Sequence, residues 1–237
     1  MRGRFDGKVV LITGVGHRGQ VGEAVAAAFA AEGAKLALVD RSGDEVQARA
    51  SELRAGGADA HAFACDLSDP AQLTRLAADV QSALGRLDAL VALAGGFAMS
   101  GPIAESDPVA WQKQLTINLT TAYLTTRAFL PALRTHGGAI VYFASAAALP
   151  GGAVGGMGAY AAAKSGVIAL MRAVAADERK LNVRANAVAP TSIRTASNVQ
   201  SMGEKQKYVE REEVAATVIY LCSSEASAVT GQVLRLG

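Results

Sequence analysis

Short runs of β-branched and other apolar residues alternate with longer amphipathic stretches along the whole sequence. Most of the short runs are continuously apolar, which is typical of parallel strands that are covered on both faces. They predict seven strands: Val9–Thr13, Lys35–Asp40, Ala60–Cys65, Ala89–Ala94, Ala139–Ala144, Val183–Val188 and Gln232–Leu236.

Capping residues mark several helix starts. Asp69 and Asp107 each precede a proline, a common start because the first helical position needs no N–H donor. Ser42 and Glu45 have the spacing of a capping box, in which each side chain bonds the other residue's backbone N–H. Besides the helices that begin at these positions, the amphipathic stretches predict helices over Gly22–Glu32, Val109–Thr135, Gly158–Leu181 and Arg211–Cys222.

This alternation of strand and helix over 237 residues predicts the α/β class. We expect one Rossmann-like, doubly wound parallel sheet of about seven strands, with right-handed crossovers and helices on both faces. No linker, repeat or low-complexity segment interrupts the alternation, so residues 1–237 are expected to form a single dinucleotide-binding and catalytic domain. Ligands of such sheets bind beyond the carboxyl ends of the strands, and the loops there are the candidate site.

Composition narrows the choice of partners. Lys and Arg number 23 against 21 Asp and Glu, a net charge of +2 with no basic stripe, which argues against nucleic acid. The longest apolar stretch, Ala89 to Met99, is shorter than the roughly 18 residues of a membrane span, and no signal peptide is recognisable. Cys65 and Cys222 have no metal-binding spacing, so we expect no metal site and a cytoplasmic location.

The turn after the first strand is rich in glycine. Gly14, Gly16 and Gly19 fit a GxGxxG pattern that opens a helix, where free N–H groups and the positive helix end can hold a pyrophosphate. The next strand ends in Asp40, whose carboxylate can accept hydrogen bonds from an adenosine ribose and would repel a 2′-phosphate. NAD(H) is therefore favoured, while Arg18 and Arg41, either of which could neutralise a phosphate, leave NADP(H) open. The alternatives to a cofactor site are that the glycines form an ordinary turn and that Asp40 is only a solvated strand end.

Four polar residues are candidates for the chemistry. Tyr160 and Lys164 stand four apart at a helix start and share a face, where an ammonium would favour the phenolate form of tyrosine. Ser145 closes the fifth strand and can bond a substrate oxygen whose charge changes in the reaction. Asn118 interrupts an apolar helix, where it indicates a kink with a bound water or a buried hydrogen bond. The alternatives to a catalytic role are that Tyr160 and Lys164 only form a polar helix start and that Ser145 is an ordinary serine at a strand end.

In this order, the residues resemble the short-chain dehydrogenase/reductase family over essentially the whole chain. The matching positions are Thr13, Gly14, Gly22, Asp40, Asp66, Ala94, Gly95, Asn118, Ser145, Tyr160, Lys164, Pro190 and Thr195. The resemblance implies that Tyr160 is the catalytic acid/base and that Lys164 lowers its pKa and holds the nicotinamide ribose. It implies that Ser145 orients the substrate oxygen and that Asn118 holds a water in a proton relay. It further implies a homotetramer or homodimer formed through the helices that contain Asn118 and Tyr160.

The expected cofactor contacts span the loops at one edge of the sheet. They are Gly14, Gly16, Gly19, Val21, Asp40, Arg41, Asp66, Leu67, Ala94, Gly95, Tyr160, Lys164, Pro190, Thr191, Ile193 and Thr195. Two departures from the family stand out. The glycine loop is about two residues longer, which leaves open whether Gly16 or Gly19 contacts phosphate. The family's Asn-Asn-Ala-Gly reads Ala92-Leu93-Ala94-Gly95 here, so two amides that usually brace the sheet are missing.

The leading functional hypothesis is an NAD(P)(H)-dependent oxidoreductase that interconverts a secondary alcohol and a ketone, with a small, modestly hydrophobic substrate. One alternative is an enzyme like quinonoid dihydropteridine reductase, because Ala94-Gly-Gly-Phe97 and the Gly-Met-Gly before Tyr160 are similar to it. Another is a non-catalytic dinucleotide-binding scaffold or sensor. Binding of NADH without hydride transfer would indicate the scaffold.

Overall fold

Seven parallel strands form one sheet in the computed structural model, which describes residues 3–237. The strands are β1 (Val9–Thr13), β2 (Lys35–Asp40), β3 (Ala60–Ala64), β4 (Ala89–Ala92), β5 (Gly138–Phe143), β6 (Val183–Pro190) and β7 (Val233–Leu236). Their order across the sheet is β3-β2-β1-β4-β5-β6-β7, and every neighbouring pair is parallel. The chain reverses its winding direction between β1 and β4, which is where such sheets bind ligands. The predicted doubly wound fold is confirmed.

The helices of the described residues cover both faces of this sheet. They are α1 (Val21–Ala31), α2 (Gly43–Ala55), α3 (Pro70–Leu84), α4 (Pro108–Leu115), α5 (Thr121–Arg134), α6 (Gly158–Asp177), α7 (Ala196–Met202) and α8 (Arg211–Cys222). A π-helical turn, Thr116–Thr120, joins α4 to α5, so the helix predicted over 109–135 is continuous but widened at one turn. The sequence pattern does not predict α7, a short polar helix that follows β6.

Two hydrophobic cores sandwich the sheet because successive strand residues face opposite sides. On one side, Val10 and Ile12 of β1 pack in a core that also contains Phe29 of α1 and Val218 of α8. On the other side, Leu11 lies in a core with the buried faces of α3, α5 and α6. Burial on both faces explains why the strands read as continuous apolar runs.

Two of the predicted helix starts are confirmed. The Asp69 carboxylate accepts a hydrogen bond from the Ala71 N–H at 2.8 Å, at the start of α3. The Asp107 carboxylate accepts one from the Val109 N–H at 2.9 Å, at the start of α4. In both helices the proline occupies the first helical position, where a missing N–H costs no hydrogen bond.

The capping box predicted at Ser42 is wrong. The Ser42 N–H donates to Asp40 Oδ1 at 3.1 Å, so it is not available to a glutamate side chain. Glu45 Oε1 instead lies 3.0 Å from His17 Nδ1 in the glycine loop. Ser42 still precedes α2, but its side chain makes no capping hydrogen bond. Tertiary contacts with the glycine loop therefore replace the local cap.

Helix α6 is long and apolar enough to cross a membrane by length and composition alone. Half of that stretch is buried within the protein, where the helix packs against β5 and β6. This burial is typical of the core helix of a globular fold. Because α6 begins beside the carboxyl end of β5, it carries Tyr160 and Lys164 to the edge of the sheet where ligands bind.

Candidate active site

The glycine turn after β1 brings three backbone segments into close contact. Gly14 has φ +76°, and a Cβ atom there would lie 2.9 Å from the Cα of Ala94, which follows β4. A Cβ on Gly22 in α1 would collide with the carbonyl oxygen of Gly14. Only glycine fits both positions. The prediction of cofactor contacts omits Gly22, whose part is to let α1 pack closely against the turn.

The two glycines considered for phosphate contact have protein partners. The Gly16 N–H donates to Asp40 Oδ2 at 2.8 Å, and a Cβ on Gly16 would lie 2.8 Å from the Asp40 Cγ. The Gly19 N–H donates to Glu23 Oε2 at 2.7 Å. Gln20 and Val21 stand at the N-terminus of α1, where first-turn N–H groups have no partner within the helix. These first-turn groups are the better candidates to hold a pyrophosphate.

A cleft of about 740 Å³ opens along this edge of the sheet. Eight of the residues expected to contact a cofactor line it: Gly14, Val21, Asp40, Arg41, Asp66, Leu67, Ala94 and Gly95. They come from the ends of β1 to β4 and from the start of α1. The cleft therefore corresponds to the part of the predicted dinucleotide site between β1 and β4, and Tyr160, Lys164 and residues 190–195 lie outside its lining.

Carboxylates surround the end of the cleft at β2. Asp40 uses both oxygens for backbone N–H groups, as described above, which fixes its orientation. At the end of β3, Asp66 accepts hydrogen bonds from the backbone and hydroxyl of Ser68, and these bonds keep the pKa of Asp66 low. Arg41 contributes electrostatically to the same lowering. Asp66 is therefore held in the ionised form at neutral pH.

The basic side chains of the glycine loop are paired with helix α2. Arg18 Nη2 lies 2.7 Å from Glu52 Oε1, and His17 lies against Glu45 as noted above. Glu52 also pairs with Arg49, which in turn lies 3.1 Å from Glu23 Oε1. This ion-pair network fastens the lengthened loop to α1 and α2. Sequence reasoning missed these glutamates, because no local pattern links residues so far apart.

Thr13 braces the loop that follows β4. Its hydroxyl donates to the Val91 carbonyl at 3.3 Å and accepts from the N–H groups of Leu93 and Ala94 at 3.1 and 3.0 Å. These bonds replace the backbone hydrogen bonds that would continue the pairing of β4 in the sheet. Strand β4 therefore ends at Ala92 instead of the predicted Ala94. They also provide a brace where the family's paired asparagines are missing.

Asn118 lies in the π-helical turn and is almost completely buried. Its oxygen accepts from the Gly96 N–H at 3.1 Å, and its amide nitrogen donates to the Gly96 carbonyl at 2.9 Å. The same nitrogen lies 3.1 Å from the Gln114 carbonyl. Of the reasons considered for this residue, the structure shows both a local distortion of the helix and buried hydrogen bonds. Asn118 thereby clamps the loop that contains Gly95.

Tyr160, Lys164 and Ser145 meet at the carboxyl end of β5. Ser145 follows this strand; its hydroxyl accepts from the Ala147 N–H at 3.2 Å and lies near enough to the Tyr160 hydroxyl to influence its pKa. Lys164 Nζ lies 5.8 Å from the centroid of the Tyr160 ring and donates to the Phe143 carbonyl at 2.8 Å. A Cβ on Gly95 would lie 3.4 Å from Lys164 Nζ, so the loop after β4 closes over the ammonium. The structure thus brings together the four predicted reacting residues.

Burial controls the ionisation of this group. Burial raises the pKa of the Tyr160 phenol, and the nearby Ser145 hydroxyl offsets part of that rise. Burial also lowers the pKa of Lys164 to about 8. Desolvation dominates at the phenol, while the Lys164 ammonium lies beside the tyrosine ring and is directed at the Phe143 carbonyl. The effect of Lys164 on the pKa of Tyr160 stays a prediction.

The segment Pro190–Thr195 leads from the end of β6 into α7. The N–H of Thr191 is bonded to the end of β7, and Ile193 forms an isolated parallel bridge with Val209. The Thr195 hydroxyl caps α7 by accepting from the Asn198 N–H at 3.2 Å. These contacts fix the segment beside the carboxyl ends of β6 and β7. Among residues 3–237, no group of three or more His, Cys, Asp and Glu side chains is arranged to hold a metal ion.

The arrangement is that of a dinucleotide-dependent oxidoreductase: a glycine-lined cleft at the switch point of a parallel sheet, with a half-buried tyrosine and a buried lysine next to it. A family model described as enoyl-(acyl carrier protein) reductase matches residues 14–236. The chain belongs to the short-chain dehydrogenase/reductase family.

Characterised relatives cover nearly the whole chain. It is 34% identical to 2-(S)-hydroxypropyl-CoM dehydrogenase 3 of Xanthobacter autotrophicus, covering 98% of this chain and 95% of that protein. It is 34% identical to D-threitol dehydrogenase of Mycolicibacterium smegmatis, covering 96% and 90%. Among solved structures, a short chain dehydrogenase from Mycobacterium smegmatis has a TM-score of 0.88 at 32% identity, covering 99% and 93%. A 3-ketoacyl-(acyl-carrier-protein) reductase from Brucella melitensis, complexed with NADH, has a TM-score of 0.88 at 27% identity, covering 97% and 96%.

Proposed function

We propose that this protein is an NAD(P)(H)-dependent oxidoreductase that interconverts a secondary alcohol and a ketone, and that residues 1–237 act as a single domain. The observation that carries the proposal is the half-buried Tyr160 hydroxyl, which lies near Ser145 and has the Lys164 ammonium on the same helix face, next to the glycine-lined cleft. The activities named for the relatives agree with it, because they act on secondary alcohols.

The residues of the cleft fit a nicotinamide dinucleotide. Gly14 has no side chain, and a Cβ atom at this position would occupy the space between the turn after β1 and Ala94. The N-terminus of α1 supplies N–H donors for the pyrophosphate, with Val21 in its first turn. An ionised carboxylate has about four acceptor sites, and Asp40 uses two for backbone N–H groups. The remaining sites are available to a ribose diol.

We propose NAD(H) as the preferred cofactor. Asp40, Glu45 and Asp66 place negative charge around the end of the cleft where the adenosine ribose would lie. The guanidinium of Arg18 is engaged by Glu52 and is therefore not free to bind a 2′-phosphate. Arg41 also lines the cleft, but its charge acts on the nearby Asp66, so a phosphate there would meet an excess of carboxylates, which disfavours NADP(H).

The reaction divides between the cofactor and the chain. When bound, the nicotinamide accepts or donates the hydride. In alcohol oxidation, the Tyr160 oxygen takes the hydroxyl proton, and in ketone reduction it returns that proton to the carbonyl oxygen. The Ser145 hydroxyl is placed to hydrogen-bond the same substrate oxygen as its charge changes. The Lys164 ammonium favours the negatively charged form of Tyr160 in the oxidation direction.

We propose that Asn118 acts mainly by holding the loop of Gly95 and Gly96 against the site, because its amide is engaged by the Gly96 backbone. The water-relay role implied by the family resemblance remains a prediction. We further propose a homotetramer or homodimer through the helices that contain Asn118 and Tyr160. Exposed small residues on α6, such as Ala169 and Ala173, support close approach of a second copy there. A cytoplasmic location is supported by the free state of both cysteines.

A substrate screen with both cofactors tests the proposal. NADH and NADPH are each combined with a panel of ketones, and NAD⁺ and NADP⁺ with the matching alcohols, in parallel with a quinonoid dihydropterin. We expect turnover of a secondary alcohol or ketone with NAD(H). Strong activity on the pterin with weak activity on alcohols would favour the second hypothesis. Tight NADH binding without any turnover would favour the scaffold.

A further inference from the structure

Exposed apolar side chains are concentrated next to the reacting residues. Among the described residues, nine large hydrophobic side chains are exposed. Four of them lie on the two loops that frame Tyr160, and we call these four the apolar collar: Phe97, Met99, Ile103 and Val154. Because exposed apolar side chains are ordinarily scattered singly, such a group points to a surface that a ligand covers.

Contacts between the two loops hold the apolar collar together. The N–H groups of Ser100 and Gly101 both donate to the Gly156 carbonyl, at 2.7 and 3.1 Å. A Cβ on Gly156 would lie 2.8 Å from Met99 Cε. Farther along, a Cβ on Gly158 would lie 2.7 Å from Ile103 Cδ1. The loop after β4 is thus packed directly against the loop that leads to Tyr160.

Phe97 is the member of the apolar collar that contacts the acid/base residue. Its ring meets the Tyr160 ring edge to face, with centroids 5.1 Å apart and an interplanar angle of 90°. It follows Gly96, whose N–H and carbonyl are both bonded to Asn118. The Phe97 side chain is nevertheless 58% exposed. An anchored aromatic ring is therefore partly open to solvent beside the place where a substrate oxygen must sit.

The framing loops offer little to a polar or charged substrate. Residues 93–104 and 144–159 contain no Asp, Glu, Lys, Arg or His. Within these two segments, Ser100 and Ser145 carry the only side-chain hydroxyl groups. The Ser100 hydroxyl donates to the Gly156 carbonyl at 3.3 Å, and Ser145 belongs to the reacting group. Additional hydroxyl groups of a substrate would lose water here without gaining side-chain partners, which is unfavourable.

We propose that the substrate is a neutral secondary alcohol or ketone with a hydrocarbon skeleton, and that Phe97 selects it by packing against that skeleton. This inference rests on the proposed function. It separates this protein from relatives named for a polyol or a coenzyme M conjugate, because the apolar collar matches neither extra hydroxyl groups nor an anionic substituent.

The test compares cyclohexanol with D-threitol as substrates of the full-length protein at saturating NAD⁺. We expect wild-type kcat/KM to be higher for cyclohexanol by roughly tenfold or more. Phe97→Ala should lower kcat/KM for cyclohexanol by roughly 10–100-fold, mainly through KM, and change that for D-threitol by less than about threefold. Phe97→Leu should restore most of the loss. Tyr220→Ala, which removes an exposed aromatic ring on α8, serves as the matched control and should change neither value.

Binding provides a readout that does not depend on turnover. Calorimetric titration of cyclohexanone into Tyr160→Phe and into the double variant Tyr160→Phe, Phe97→Ala should show weaker binding to the double variant. A wild-type preference for D-threitol, or an equal loss for both substrates in Phe97→Ala, would overturn the substrate class and leave the oxidoreductase intact. Absence of hydride transfer with any alcohol or ketone would instead overturn the proposed function, and this inference with it.

Discussion

Lys164 and Tyr160 share one face of α6, with Nζ 5.8 Å from the ring centroid, yet the ammonium donates its hydrogen bond to the Phe143 carbonyl. Burial disfavours the charged form of both residues: it raises the pKa of Tyr160 and lowers that of Lys164 to about 8. The pair is therefore poised so that an added positive charge, such as that of an oxidised nicotinamide, would shift the tyrosine toward phenolate.

Burial of Lys164 predicts a pH-dependent contribution to stability. Its pKa falls from 10.5 in the unfolded reference to about 8, so the unfolded chain holds more protons than the folded protein between these values. The stability that this group contributes therefore rises with pH through that window and is lowest below pH 8. We expect the free energy of unfolding of wild type, relative to Lys164→Met, to rise by up to about 3 kcal/mol between pH 8 and 10.5.

Urea denaturation of both proteins across this pH range measures the difference, because groups common to both cancel. Parallel pH dependences of the two proteins would show that the folded-state pKa of Lys164 is not lowered.

Close packing of Gly95 predicts that even one added methyl group disturbs the site. A Cβ there would lie 2.5 Å from Asn118 Oδ1 and 3.4 Å from Lys164 Nζ. We expect Gly95→Ala to lower kcat by roughly 100-fold, because the clamp and the ammonium must both shift. It should also lower Tm, since overpacking costs about 1–3 kcal/mol.

The neighbouring Gly96→Ala is the matched control. Its Cβ would lie 3.4 Å from Ile117 Cδ1, the end of a flexible side chain, so kinetics and Tm should stay close to wild type. Steady-state assay and thermal unfolding measure both effects. Equal effects of the two substitutions would show that the close packing of Gly95 is not what makes the site sensitive.

Cofactor preference depends on Asp40 in this account. Replacing it by serine removes a charge that would repel a 2′-phosphate, so the ratio of kcat/KM for NADH to that for NADPH should fall by roughly 10–100-fold. Combining Asp40→Ser with Glu52→Gln should lower the ratio further, because Glu52 no longer engages Arg18. Asp44→Ser removes an equal charge from the exposed start of α2 and should leave the ratio unchanged. A ratio that is insensitive to Asp40 would show that another group sets the preference.

The sequence predicts the sheet well because burial on both faces leaves a local signature. β1 and β2 have the predicted bounds, and Asp69 and Asp107 cap their helices as expected. The order of motifs along the chain predicts which loops carry the site, since parallel strands place their carboxyl ends at one edge. Residues such as Asp40 and Ser145 could be placed in this way.

Contacts between distant segments could not be predicted from local patterns. Glu45 reads as half of a capping box but pairs with His17, because the glycine loop folds back over α2. The brace supplied by Thr13 depends on the loop after β4 lying beside β1, which spacing does not reveal. For the reacting pair, the sequence shows that Lys164 is near Tyr160, but not that its ammonium is bonded to the Phe143 carbonyl or that burial raises the pKa of the phenol.

The measurement that tests the central claim most directly is the comparison of wild type with Tyr160→Phe, using one alcohol and ketone pair that the wild type turns over. The substitution removes only the proton-transfer oxygen, so NADH binding, followed by fluorescence titration, should keep its Kd within a few-fold. Turnover should fall by roughly 1,000-fold or more. Comparable turnover in Tyr160→Phe, with the cofactor bound normally, would contradict the assignment of Tyr160 as the group that exchanges the proton.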